Sequence, residues 1–99
     1  MMKIATKIDD INGWTGHATL YRLSPPMRYR RYKEEQITEQ EYVIVSAITM
    51  PKLGPETYIF ASNSTGHVMD WCELEGSQHG TLRHSDALGD AGYSIAEHE

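Results

Sequence analysis

The chain contains one cysteine, Cys72, in 99 residues. An intrachain disulfide is therefore excluded, and the fold has to be held by its core. Long apolar runs are missing as well. No stretch approaches the roughly 18 apolar residues that a membrane helix needs. The opening residues, MMKIATKIDD, reach charge within a few positions and carry no apolar segment, so no secretory signal is expected. The 8 glycines are dispersed among turn-like positions, which leaves no glycine-rich loop to cradle a phosphate. Positive charge is nearly absent from the second half: residues 1–52 hold eight Lys/Arg and six Asp/Glu, residues 53–99 one and eight. An acidic half repels phosphate backbones at long range and disfavours nucleic acid as a partner. A soluble cytoplasmic protein without membrane contact is the expectation.

What is present suits one small domain. A chain of 99 residues builds a single core and buries about two-thirds of its unfolded surface. Met2–Ile8 is a weak first strand, and Asn12-Gly13 is a tight-turn signal. HATLYRL at 17–23 is rich in strand formers, and Pro25-Pro26 should end it. Residues 25–40 are polar throughout and read as a long loop. YVIVSAITM at 42–50 carries consecutive β-branched residues, the mark of a central strand buried on both faces. ETYIFAS at 56–62 and HVMDWCEL at 67–74 return by short turns, giving an antiparallel meander. SDALGDAGY at 85–93 reads as a short helix, with Ser85 as N-cap and Gly92 at the C′ position. The expected class is α+β: a small antiparallel sheet, central strand 42–50, packed by one C-terminal helix near 85–91. Val43, Val45, Ala47, Ile59, Leu88 and Trp71 are the candidate core. A thin core of this kind invites a homodimer that extends the sheet.

Candidate functional residues fall in two places. RYRRYK at 28–33 interleaves Arg28, Arg30, Arg31 and Lys33 with two tyrosines, as single-strand binders do. Glu34, Glu35, Glu39 and Glu41 offset this charge, so a solvated loop is the preferred reading and contact with an anionic partner the alternative. The second place is the stretch around residues 70–84. Trp71, His79, Arg83 and His84 form a candidate pocket rim in which Arg83 is the sole cation of the C-terminal half, and Asp70 and Trp14 are further candidate binding residues. Cys72, His79 and His84 match no standard zinc spacing. Cys72 sits in a strand pattern where a buried thiol is inert. DDING fails as a calcium loop, because Ile8 and Thr19 would fall where an Asp and a Glu are required. Asn63-Ser64-Thr65 is better read as turn chemistry than as a glycosylation site. No catalytic residue, metal site or cofactor is assigned on these grounds.

GPETYIF at 54–60 is followed by Gly66, Asp70-Trp71, Glu73-Leu74, Gly76-Ser77, Gly80, His84, Ala87-Leu88 and Ala91-Gly92-Tyr93. With IDDINGWTGHATLYRLSPP at 8–26, this pattern resembles a family of small proteins encoded by bacteriophages of actinobacteria. The resemblance covers most of the chain except residues 28–40. That family has no assigned activity, so it implies a setting, the host cytoplasm during infection, and no residue roles. The reading it supports is a non-enzymatic accessory protein that binds a host protein or a small anionic ligand such as a nucleotide. A small metal-dependent or hydrolytic enzyme using the residues at 70–84 is the alternative, and a virion or assembly component the third.

Overall fold

A computed structural model describes residues 3–11, 17–30, 37–50, 54–70, 78–79 and 83–96. Its seven strands are β1 (Ile4–Ile11), β2 (His17–Arg30), β3 (Ile37–Met50), β4 (Gly54–Ser62), β5 (Val68–Asp70), β6 (Gln78–His79) and β7 (Ser94–Ala96). One helix, α1 (His84–Asp90), lies between β6 and β7. The strands form a single sheet in the order β5-β4-β3-β2-β1-β7, with β6 paired to β4 beside β5. Neighbours are antiparallel except β1 and β7, which run parallel. The parallel pair follows from connectivity. The chain leaves β6 at one side of the sheet, crosses a face through α1, and joins the far edge as β7.

The expected fold class is overturned. Among the described residues the molecule is a predominantly β, mixed sheet with one seven-residue helix, not a small α+β meander. The largest difference lies at residues 25–40, read from sequence as a long loop. β2 and β3 are each 14 residues long. Met27–Arg30 pairs with Ile37–Gln40 as a two-stranded ribbon that continues past the ends of β1 and β4. The prolines do not end β2 because they occupy an irregularity, where the ladder shifts register between Arg22 and Met27 and asks no N–H of them. Polar composition is tolerated because such a ribbon needs only one covered face. Met27 and Gln40 are buried, and Arg28 and Glu39 are exposed. The Gln40 amide donates to the carbonyls of Tyr42 and Ser62, anchoring the ribbon to the sheet.

Period-two alternation assigns the faces. One carries Ala5, Tyr21, Leu23, Val43, Val45, Ile59 and Ala61, packed by Ala87 and Leu88 of α1 and by Tyr93. The other carries Ala18, Leu20 and Ile44, with Ile11, Tyr42 and Val68 against them. The core positions expected from sequence at 43, 45, 47, 59 and 88 are all buried, whereas Trp71 lies outside the described residues. Gly66 closes the β4–β5 turn at φ +88°, and a Cβ there would meet Ile11 Cδ1 at 2.9 Å. The turn is held from within, since Asn63 Oδ1 accepts from the Thr65 amide and hydroxyl and from the His67 amide.

Helix α1 ends as its sequence indicates. Gly92 takes φ +96°, the Tyr93 amide reaches the Leu88 carbonyl at 2.8 Å, and the Gly92 amide reaches that of Gly89 at 3.0 Å. These two bonds make the glycine-capped C-terminal motif in which the residues on either side of the turn pack together; here they are Leu88 and Tyr93. The start differs from expectation. Arg83, not Ser85, is the N-cap, and no side chain caps the helix. Placing His84 in the first helical position turns it inward. None of the helices among the described residues is long and apolar enough to cross a membrane.

Candidate ligand pocket and histidine cluster

Two features carry chemistry, one at each end of α1. The first is a cavity of about 320 Å³ beside the helix C-terminus, lined by Lys3, Pro25, Pro26, Met27, Arg28, Glu39, Ala91 and Tyr93. Its walls come from four parts of the chain, with Glu39 supplied by β3. The irregularity in β2 presents the two prolines. The glycine turn after α1 aims Tyr93 back at them, and the Tyr93 hydroxyl donates to the Pro25 carbonyl at 2.6 Å. Burial pushes the Tyr93 hydroxyl above its ordinary pKa, so it stays a donor. Lys3 precedes β1 and is tied to the same turn, because the Ser94 amide donates to the Lys3 carbonyl at 3.0 Å. The Lys3 ammonium lies 5.7 Å from the centre of the Tyr93 ring, within reach of a cation–π contact.

The pocket has an apolar body and a cationic mouth. Proline, methionine, alanine and tyrosine supply the walls, and Lys3 and Arg28 supply two positive charges. Among the described residues, Glu39 is the one carboxylate in the lining. It holds Arg28 only loosely, with Nε to Oε1 at 3.9 Å and both side chains about two-thirds exposed (67% and 64%). An exposed pair at that distance contributes little and yields readily to a better anion. The size falls at the lower end of small-molecule sites, and a few polar groups in a mainly apolar lining is their usual composition.

The second feature is built on His84. Its Nε2 lies 3.0 Å from the His17 carbonyl, which can only accept, so Nε2 carries the proton. Nδ1 then accepts from the Tyr21 hydroxyl at 3.1 Å. The His17 ring stacks on His84, with centroids 4.6 Å apart and planes 17° apart. His17 Nε2 approaches Asp10 Oδ1 at 3.3 Å, and the Thr19 hydroxyl donates to the same oxygen at 3.1 Å. Lys7 Nζ lies 3.5 Å from that oxygen. Burial lowers the His84 pKa, and the bonds from His17 and Thr19 lower that of Asp10.

Those of the residues singled out from sequence that are described do not converge on one site. His84 faces inward instead of forming a rim. Arg83 is exposed at the helix start. Asp70 and His79 pair with Ala61 and Glu56, on the two short strands that flank β4. Arg28 lines the cavity, and Arg30 pairs with Ile37 in the ribbon. Trp14, Trp71, Arg31 and Lys33 lie outside the described residues, as does Cys72. Among the described residues, no three His, Cys, Asp or Glu side chains converge as a metal site. Lys3 and Tyr93 were missed because nothing in the sequence links two positions 90 residues apart. His17, Thr19 and Tyr21 were legible as one face of a strand, but their convergence on His84 was not.

No protein-family model, curated protein or solved structure matches this chain.

Proposed function

We propose that this protein binds a small anion with an apolar or aromatic body, in the cavity between the β2 irregularity and Tyr93. The observation that carries the reading is the placement of two cations, Lys3 and Arg28, against one carboxylate, Glu39, on a mainly apolar, tyrosine-walled cavity. Of the two partner classes expected from sequence, a host protein or a small anion, the cavity favours the anion. The ring or chain of the ligand would lie against Pro25, Met27 and Tyr93, and its charge between the two cations. Glu39 favours a single, localised anionic group over an extended polyanion, which it would repel. The resemblance to bacteriophage proteins supplies a setting, an accessory protein that captures a small host metabolite or signal during infection.

Phenyl phosphate and benzoate are suitable probes for calorimetric titration. Each exposed cation contributes about 1 kcal/mol to an anion contact. The double substitution Lys3→Gln with Arg28→Gln should therefore weaken binding roughly thirtyfold. Arg83→Gln, at the other end of α1, should leave affinity unchanged. Failure of both probes to bind the wild type, or equal affinity in the double variant, would sink the reading.

A further inference from the structure

His17 is exposed and yet firmly oriented, an unusual combination for a surface histidine. Its side chain is 64% exposed, but one ring face is covered by His84 at 4.6 Å and Nε2 is fixed by Asp10. The covering ring is itself locked, through the Tyr21 hydroxyl on one nitrogen and the His17 carbonyl on the other. Asp10 Oδ1 is positioned in turn by the hydroxyl of Thr19, a residue with no exposed surface. The Thr19 hydroxyl also lies 3.2 Å from His17 Nε2; in the neutral ring, donation of Nε2–H to the carboxylate leaves Nδ1 as the unprotonated nitrogen, and Nδ1 has no hydrogen bond among the described residues.

We propose that His17 and Asp10 form a general-base site that hydrolyses small activated acyl esters. This site is separate from the anion pocket, and neither proposal rests on the other. His17 Nδ1 removes a proton from a water molecule as the water oxygen bonds to the acyl carbon, and the carbonyl electron pair moves onto its oxygen. The Asp10 carboxylate balances the imidazolium charge, and the Lys7 ammonium beside it supplies positive charge near the developing oxyanion. The tetrahedral adduct then collapses. Its carbon–oxygen bond to the leaving group breaks, the leaving oxygen takes the proton from Nδ1, and the acid product departs. No metal, oxidant or co-reactant enters. His17 is the catalytic residue, and Asp10 and Thr19 are positioning residues.

The test is hydrolysis of p-nitrophenyl acetate by the full chain, measured against an equal concentration of free imidazole. The wild type should exceed free imidazole by at least about tenfold, the low end of what positioned general bases contribute being about a hundredfold. His17→Ala should lose that excess. Asp10→Asn should lower kcat severalfold at unchanged KM, an outcome that a general loosening of the fold would not give. His67→Ala, in the β4–β5 turn, should keep the full rate. Both tested side chains are exposed, so melting curves should stay close to wild type and separate lost chemistry from lost structure. A wild-type rate equal to that of free imidazole would overturn the proposal, and so would a full rate in either His17→Ala or Asp10→Asn.

Discussion

Replacing Leu88 by alanine will destabilise the protein by about 3 kcal/mol, within the range found for buried leucines. Leu88 has no exposed surface, and it joins α1 to the face formed by Val43, Val45, Ile59 and Ala61. It also supplies the carbonyl that receives the Tyr93 amide, so it sits where the helix, its C-terminal turn and the sheet meet. α1 has only seven residues, far below the length at which a helix is stable alone, and it holds its shape through this contact. For a domain of about this size each kcal/mol moves the melting temperature by roughly 4–8 °C, so a drop of more than about 10 °C is expected. Thermal unfolding followed by circular dichroism measures it. Leu88→Met, which conserves volume, should cost less than about 1.5 kcal/mol.

The second large effect is acid sensitivity centred on His84. The buried ring is held neutral, and burial is the main cause of its lowered pKa, with the nearby His17 ring acting in the same direction. The His17 carbonyl and the Asp10 carboxylate oppose the shift and are outweighed. Because the folded pKa lies below the unfolded value of about 6.5, the unfolded chain takes up a proton first as pH falls. The stability that His84 contributes is complete above pH 6.5 and is lost as pH falls through the folded pKa. Asp10, also lowered, acts in a separate window below its ordinary value of 3.8. Urea unfolding at a series of pH values should therefore show a decline beginning near 6.5. His84→Ala should cost about 2–4 kcal/mol at pH 8, since it opens a cavity and leaves the Tyr21 hydroxyl without this acceptor. The decline that begins near pH 6.5 should be largely gone in the same variant, because the titrating group is absent.

Particular residues show how far the sequence could be read. The run YVIV required burial on both faces, and β3 indeed has Val43 and Val45 on one face and Ile44 on the other, each fully buried. Gly92 was legible as a helix terminator because only a residue without Cβ takes that positive φ cheaply. The ribbon was not legible. Pro25-Pro26 is a strand terminator by local rules, and only the register shift opposite Glu41 reconciles the prolines with a continuing ladder. Nor was β7 legible as part of the sheet, because a three-residue strand paired in parallel with β1 depends on where α1 delivers it. This is the long-range information that overturned the fold class. RYRRYK reads from sequence as part of a solvated loop, with contact to an anionic partner as the alternative. Its described part is divided, with Arg28 on the cavity and Arg30 farther along the ribbon. The candidate rim at 70–84 was assembled from residues close in sequence, whereas both chemical features join residues more than 60 positions apart.

The central claim is that a small anion enters the cavity between Lys3, Arg28 and Tyr93. Titrating isotope-labelled protein with phenyl phosphate, while following backbone amides by NMR, tests it most directly. Saturable shifts are expected at Lys3, Met27, Arg28 and residues 91–93, with little change at Asp10, His17 or His84. Shifts centred on the histidine cluster or on β4, or no saturable shift at all, would contradict it.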